Sequence, residues 1–147
     1  MPVIDTLSAD LKEALKARNE IKLSTLRLIK ASLKNKEIEK MASLTHDEIV
    51  AVLSTMAKQR RESIEQYTAA GRLELSSREE QELSIIQSYL PKQLAPEELD
   101  AVIRTAIEES GATSPNDMGK VMKALMPKVK GVSDGKAVNQ RVRDLLQ

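Results

Sequence analysis

The chain has 147 residues, a net charge of +1 and 31 % charged side chains, with no Cys, Trp or Phe, two Tyr and a single His. That length supports one domain or two small lobes with a true hydrophobic core, and the missing cysteines exclude disulfides, thiolate metal sites and cysteine nucleophiles. One imidazole, His46, leaves no histidine-pair metal site, and no apolar run approaches the roughly 18 residues that a membrane span requires.

The apolar spacing predicts helices throughout and no strand. Ile4, Leu7, Leu11 and Leu15 recur at steps of three and four and predict a first helix over 3–18. Leu26, Ile29 and Leu33 predict a second near 20–40. Thr45 is the expected N-cap of a third, with Asp47 and Glu48 in the first turn, where the helix dipole favours anions. This helix is expected to reach about Ala70 and stop at Gly71. Ser77 and Glu80 have capping-box spacing and predict the start of a short fourth helix that ends before Pro91. Pro96 suits the first position of a fifth helix, which should stop near Gly111. Ser114 and Pro115 predict the opening of a sixth that ends before Pro127, and the last begins after Ser133. The predicted fold is therefore all-α: an N-terminal bundle of about four helices over 1–90, a linker at 91–94, and a C-terminal three-helix lobe over 95–147. The first residues, Met-Pro-Val-Ile-Asp, show no basic region followed by an apolar core, so no secretory signal peptide is expected. A cytoplasmic location is the expectation.

Charge is distributed unevenly. Residues 1–73 carry 13 basic and 10 acidic side chains, residues 74–113 carry 3 and 9, and residues 114–147 carry 7 and 3. A basic tail beside an acidic middle suits a polyanion site held off by an acidic neighbour; scattered surface charge is the plainer alternative. Within the tail, Lys120 and Lys123 lie together on the sixth helix, opposite Val121 and Leu125, and Lys130 follows. Lys136, Asn139, Gln140 and Arg143 share a face of the last helix, opposite Val138, Val142 and Leu145. Basic and amide groups on a helical hairpin suit RNA phosphate and 2′-hydroxyl contacts. The lobe has no aromatic on which an unpaired base would stack.

Two other cationic features stand in the N-terminal half. Arg60 falls on the apolar face of the third helix, between Met56 and Ile64. An unpaired charge there is costly to bury, so Arg60 either pairs with a carboxylate of the first or second helix or reaches the rim, or else it is an anion contact in a groove. Arg27, Lys30 and Lys34 form a stripe on the second helix, with no acid between Ile21 and Lys36. Such a stripe tracks phosphates or simply faces solvent. Phosphate-loop and nucleophile-elbow motifs are absent. No catalytic residue, cofactor or metal is expected.

Several segments together resemble the YqeY-like family. They are Leu23-Ser24-Thr25-Leu26-Arg27, Lys58-Gln59-Arg60-Arg61-Glu62-Ser63-Ile64-Glu65-Gln66-Tyr67, Ala70-Gly71-Arg72, Tyr89-Leu90-Pro91-Lys92-Gln93-Leu94 and Met118-Gly119-Lys120-Val121-Met122, completed by Gly135-Lys136 and Val138-Asn139. The resemblance implies a C-terminal lobe similar to the tail domain of the GatB subunit of tRNA-dependent amidotransferases, a tail that lies outside the active site and helps engage tRNA. By that analogy Lys120, Lys123, Lys130, Lys136 and Arg143 face tRNA. The sequence departs from the family pattern at Val132-Ser133, where an Arg-Ala pair is common, and at Ala95, where a capping Ser or Thr is common. The resulting expectation is a non-catalytic tRNA- or RNA-associated accessory protein. The alternatives are a helical protein–protein adaptor or a component linked to glutamine-dependent carbon–nitrogen ligase activity. The expected partners are tRNA and an aminoacyl-tRNA- or amidotransferase-linked protein, with no membrane. An amidotransferase active site does not follow from likeness to a tail.

Overall fold

The structure, a computed structural model, describes residues 2–147, and among these it contains seven α-helices and no strand. They are α1 (Pro2–Ala17), α2 (Glu20–Lys40), α3 (His46–Ala69), α4 (Leu73–Gln87), α5 (Pro96–Ser110), α6 (Met118–Val129) and α7 (Gly135–Leu146), with a 3-10 turn at Pro115–Asp117. The all-α expectation holds. The chain divides into two compact units, Met1–Pro91 and Lys92–Gln147.

In the first unit the helix ends follow local chemistry. The Asn19 side chain accepts from the Lys22 amide and opens α2. Thr45 and Glu48 form a reciprocal capping box at α3, each side chain accepting from the other's backbone N–H. Gly71 takes a left-handed φ of 73°, open to glycine at little cost, and the Arg72 amide then bonds back to the Tyr67 carbonyl at 2.8 Å. That turn sends the chain directly into α4, so the fourth helix starts at Leu73 rather than at Ser77. No cap bonds its first turn; instead the neighbouring Ser76 hydroxyl is buried and lies 2.8 Å from the Thr68 hydroxyl of α3. Packing against α3 thus extends α4 beyond its local capping signal. The core is aliphatic: Leu7, Leu26, Ile29, Ile49, Leu53, Met56 and Ile86 are buried together. Behind α4 the half-buried Tyr89 donates its phenolic proton to the Asp10 carboxylate of α1. Burial, reinforced by that carboxylate, pushes the phenol well above its usual titration range.

The second unit wraps α5, α6 and α7 around Ile103, Ala106, Val121, Leu125, Val138 and Val142, all buried. Helix α6 runs through Pro127 to Val129, where the sequence predicted a stop. Pro127 gives up one backbone donor, but Val121, Leu125 and Val129 form an i, i+4, i+8 row that is wholly buried, and that burial outweighs the single missing hydrogen bond. The turn that follows is fastened to the start of the unit. Gln93 Nε2 donates to the Gly131 carbonyl at 2.9 Å, and the Leu94 amide donates to the Val132 carbonyl at 2.8 Å. Residues 93–94, within the expected linker, are therefore held by backbone acceptors of the α6–α7 turn.

At α5 the departure from the family pattern has a visible consequence. Ala95 offers no side-chain acceptor, and only the Glu98 half of a capping box forms, its carboxylate accepting from the Ala95 amide at 3.0 Å. Restoring the missing half with Ala95→Ser should stabilise the protein by about 1 kcal/mol, read as a higher midpoint in urea unfolding at unchanged slope.

Candidate nucleic-acid interface

The seven cations from Lys120 to Arg143 fall into two groups. Two turn towards α5. The Arg141 guanidinium makes a two-pronged contact with Asp100, Nε to Oδ1 at 2.6 Å and Nη2 to Oδ2 at 2.8 Å, and Lys128 pairs with Glu109 at 2.9 Å. The Arg141 bonds lower the proton affinity of the Asp100 carboxylate below its ordinary range. The other five, Lys120, Lys123, Lys130, Lys136 and Arg143, are all exposed, as is Asn139.

The local sequence makes this division. Each helix buries one stripe, Val121 and Leu125 on α6, Val138 and Val142 on α7, and the residues off that stripe are turned outward. Lys120 and Lys123 are three apart on α6, and Lys136, Asn139 and Arg143 occupy positions i, i+3 and i+7 on one face of α7. Lys130 follows α6 directly and precedes Gly131, whose φ of 79° turns the chain. Asp117 tempers the face at one point: it lies 4.0 Å from Lys120, and its carboxyl is held below the ordinary range, chiefly by the Thr113 amide. With exposed cations and no aromatic platform on this unit, such a face can neutralise phosphates along a backbone but offers no stacking surface for unpaired bases.

Arg60, the other candidate, receives its anions from α4, not from α1 or α2. Its Nε donates to Glu82 Oε2 at 2.9 Å and lies 3.4 Å from Glu79 Oε2, with the guanidinium and both carboxylates largely shielded from solvent. Arg78 approaches the second oxygen of Glu82 at 3.7 Å. The groove anion that the sequence allowed for is thus supplied by the chain itself. Desolvation first, and repulsion from Glu82 second, raise the proton affinity of Glu79. His46 is exposed at the first turn of α3. Among the described residues no group of three or more His, Asp or Glu has the geometry to hold a metal ion, and no helix is long and apolar enough to cross a membrane.

Residues 4–146 match the family model described as Yqey-like protein. The chain belongs to the YqeY-like family. It is also similar to fungal proteins named "Altered inheritance of mitochondria protein 41, mitochondrial". The protein of Vanderwaltozyma polyspora is 33 % identical over 106 residues, covering 70 % of this chain and 57 % of the relative. That of Pyrenophora tritici-repentis is 28 % identical over 150 residues, covering 98 % and 81 %. That of Saccharomyces cerevisiae is 33 % identical over 98 residues, covering 66 % and 53 %. The matched stretch therefore spans little more than half the length of two of these three. Their names overturn the expectation of a cytoplasmic location, since these relatives are named as mitochondrial proteins. The expectation rested on the lack of a secretory signal pattern, which bears on secretion and does not select between cytosol and mitochondrion.

Two ionic contacts generate predictions. Glu82→Gln removes the charge closest to Arg60 and should cost about 2 kcal/mol of stability. Glu79→Gln should stabilise at neutral pH, because a carboxyl whose folded-state proton affinity is raised loses stability as pH climbs from the ordinary carboxylate range through the raised value. The Glu79→Gln gain should vanish in urea titrations at about pH 4, where the unfolded carboxyl is itself largely protonated. Asp100 has the opposite sign. Its stabilisation is present above the ordinary carboxylate range and is lost as pH falls through its lowered value, so Asp100→Asn should be less stable at neutral pH and show a shallower acid limb in the same titration.

Proposed function

We propose that this YqeY-like protein is a non-catalytic, tRNA- or RNA-associated accessory protein whose contact surface is the outer face of α6 and α7. The observation that carries this reading is the division of the cations. Lys128 and Arg141 pair with acids of α5, whereas Lys120, Lys123, Lys130 and Arg143 are exposed and form no ion pair with α5, with Lys136 and the Asn139 amide on the same exposed surface. The resemblance of this lobe to amidotransferase tail domains supports tRNA as the RNA, and it carries no ligase chemistry with it. The lack of aromatic side chains favours recognition of a folded RNA backbone over unstacked bases.

A second reading, a helical adaptor for a protein partner, draws on the acidic character of residues 74–113. The two separate on salt dependence. Labelled total tRNA should bind the purified chain at micromolar concentration in fluorescence anisotropy, and affinity should fall about 10³-fold between 50 and 200 mM salt if roughly six phosphates are neutralised. The double variant Lys123→Glu/Arg143→Glu should abolish binding while leaving the helical circular dichroism unchanged. Binding that survives both the salt and the variant would remove RNA from this face.

A further inference from the structure

The first unit carries a concave surface that the RNA reading does not use. Between α1 and α2 lies an open groove of about 480 Å³. Its lining is mainly apolar: the half-buried Ile4 of α1 and the exposed Ala31 of α2 lie over the buried Leu7 and Leu33. Its rim is cationic, because Arg27, Lys30 and Lys34 line it along α2. These three are exposed and sit at i, i+3 and i+7, so their backbone positions span about 10 Å along the helix. The apolar track does not end at the groove. Ile38, one helical turn beyond Lys34 on the same side of α2, is 63 % exposed, and Met41, the left-handed C-cap that ends α2, is 90 % exposed. Glu37, 4.0 Å from Lys34, is the one acid on the rim.

We propose that this groove docks an acidic amphipathic helix of a protein partner. The argument is complementarity of shape, charge and period. An amphipathic helix lays its apolar face into a groove through anchors at i, i+3, i+4 and i+7. A partner with Leu or Ile on that stripe and Asp or Glu beside it, at the same three- and four-residue steps, sets an acid against each of Arg27, Lys30 and Lys34 while covering Ala31 and Ile38. A single-headed anionic amphiphile satisfies one cation and leaves two. A nucleic-acid backbone pairs with the cations but leaves the apolar lining and Ile38 against charged phosphates, which is unfavourable. A lipid surface is flat on this scale and does not fill a cleft between two helices.

The probe is a fluorescein-labelled peptide of about 18 residues, long enough to hold helical structure, with Leu on one stripe and Glu along its flank. A control has the same composition scrambled out of helical register, and a third peptide replaces every Glu by Lys. Anisotropy with the full chain should show micromolar binding of the first peptide. Lys30→Glu/Lys34→Glu should weaken it about tenfold or more, the effect of losing roughly 1.4 kcal/mol, and the Lys peptide should bind this variant better than it binds the parent protein. That reciprocal gain cannot arise from misfolding. Ala31→Arg, which places a charge in the apolar lining, should also abolish binding with the fold intact. Equal binding of the scrambled control, indifference to the double variant, or failure of the charge swap would overturn the proposal. So would absence of peptide binding, whether or not phosphatidylglycerol vesicles or tRNA are captured through Lys30 and Lys34.

Discussion

A guanidinium on the apolar face of a helix must be given an anion, and which element supplies it decides which helices pair. Arg60 sits between Met56 and Ile64 on α3, and its anions are Glu82 and Glu79 of α4. The requirement for compensation is steep in a desolvated setting, so it fixes not just the contact of α3 with α4 but its register: Glu82 is the buried acid of α4, one turn from Ile86 in the core. The Thr68–Ser76 hydroxyl contact is placed by the same alignment, close to the Gly71 turn. Once α3 and α4 are aligned, Ile86 enters the cluster formed by Leu26, Ile29 and Leu53, and Tyr89 is carried to Asp10 of α1. Desolvation of Glu79, reinforced by repulsion from Glu82, raises its proton affinity, so the second carboxylate of the cluster is held at a cost. The arrangement therefore specifies alignment at some expense in stability.

The second unit solves the same problem differently. Its ionic ties, Arg141 to Asp100 and Lys128 to Glu109, lie at the rim of a core built only from aliphatic side chains. Exposed pairs of this kind add little stability each. Their effect is to commit two cations and two acids of α5 to one another, which leaves the outer surface of α6 and α7 with a cationic excess. Charge segregation on this unit is thus a by-product of how α5 packs. It is also why a uniform count of basic residues overstates the available face.

Much of this was legible in the residues. The helical period, the cap at Thr45, the helix-opening Pro96, the left-handed stop at Gly71 and the anomaly of Arg60 all follow from local rules. The misses share one cause: a local signal overridden by packing across many residues. Ser77 and Glu80 have the spacing of a cap, but Gly71 had already turned the chain so that Leu73 could continue as helix against α3. Pro127 reads as a stop, but Val129 needed to be buried. The partner of Arg60 lies 22 residues away on a helix whose start had been misplaced, so no window centred on Arg60 contains it. The Gln93 and Leu94 bonds to the α6–α7 turn are likewise invisible in sequence, since Gly131 and Val132 accept through backbone carbonyls that any residue would offer. The Arg27, Lys30 and Lys34 stripe was evident, but not the apolar lining beside it, because Ile4 and Leu7 belong to another helix.

On the proposed readings, the chain presents two cationic surfaces of different chemistry, and the difference bears on how the protein selects its partners. A backbone-tracking face of lysines and one arginine discriminates poorly among RNAs, because phosphates are the same everywhere. Its affinity is a counterion effect, general and salt-dependent. An apolar groove with a periodic rim is selective in the opposite sense: it rejects any partner whose hydrophobic and acidic positions are out of step. A low-specificity nucleic-acid surface on one unit and a register-sensitive protein surface on the other form a division of labour in which the partner, rather than the RNA sequence, determines where the protein acts. Linking two weak contacts in one chain raises the effective concentration of each for the other, so neither surface has to bind tightly alone. That in turn fits surfaces built from exposed lysines and arginines with a few accessible aliphatic side chains such as Ile38, and with no aromatic anchors of the kind that dominate tight interfaces.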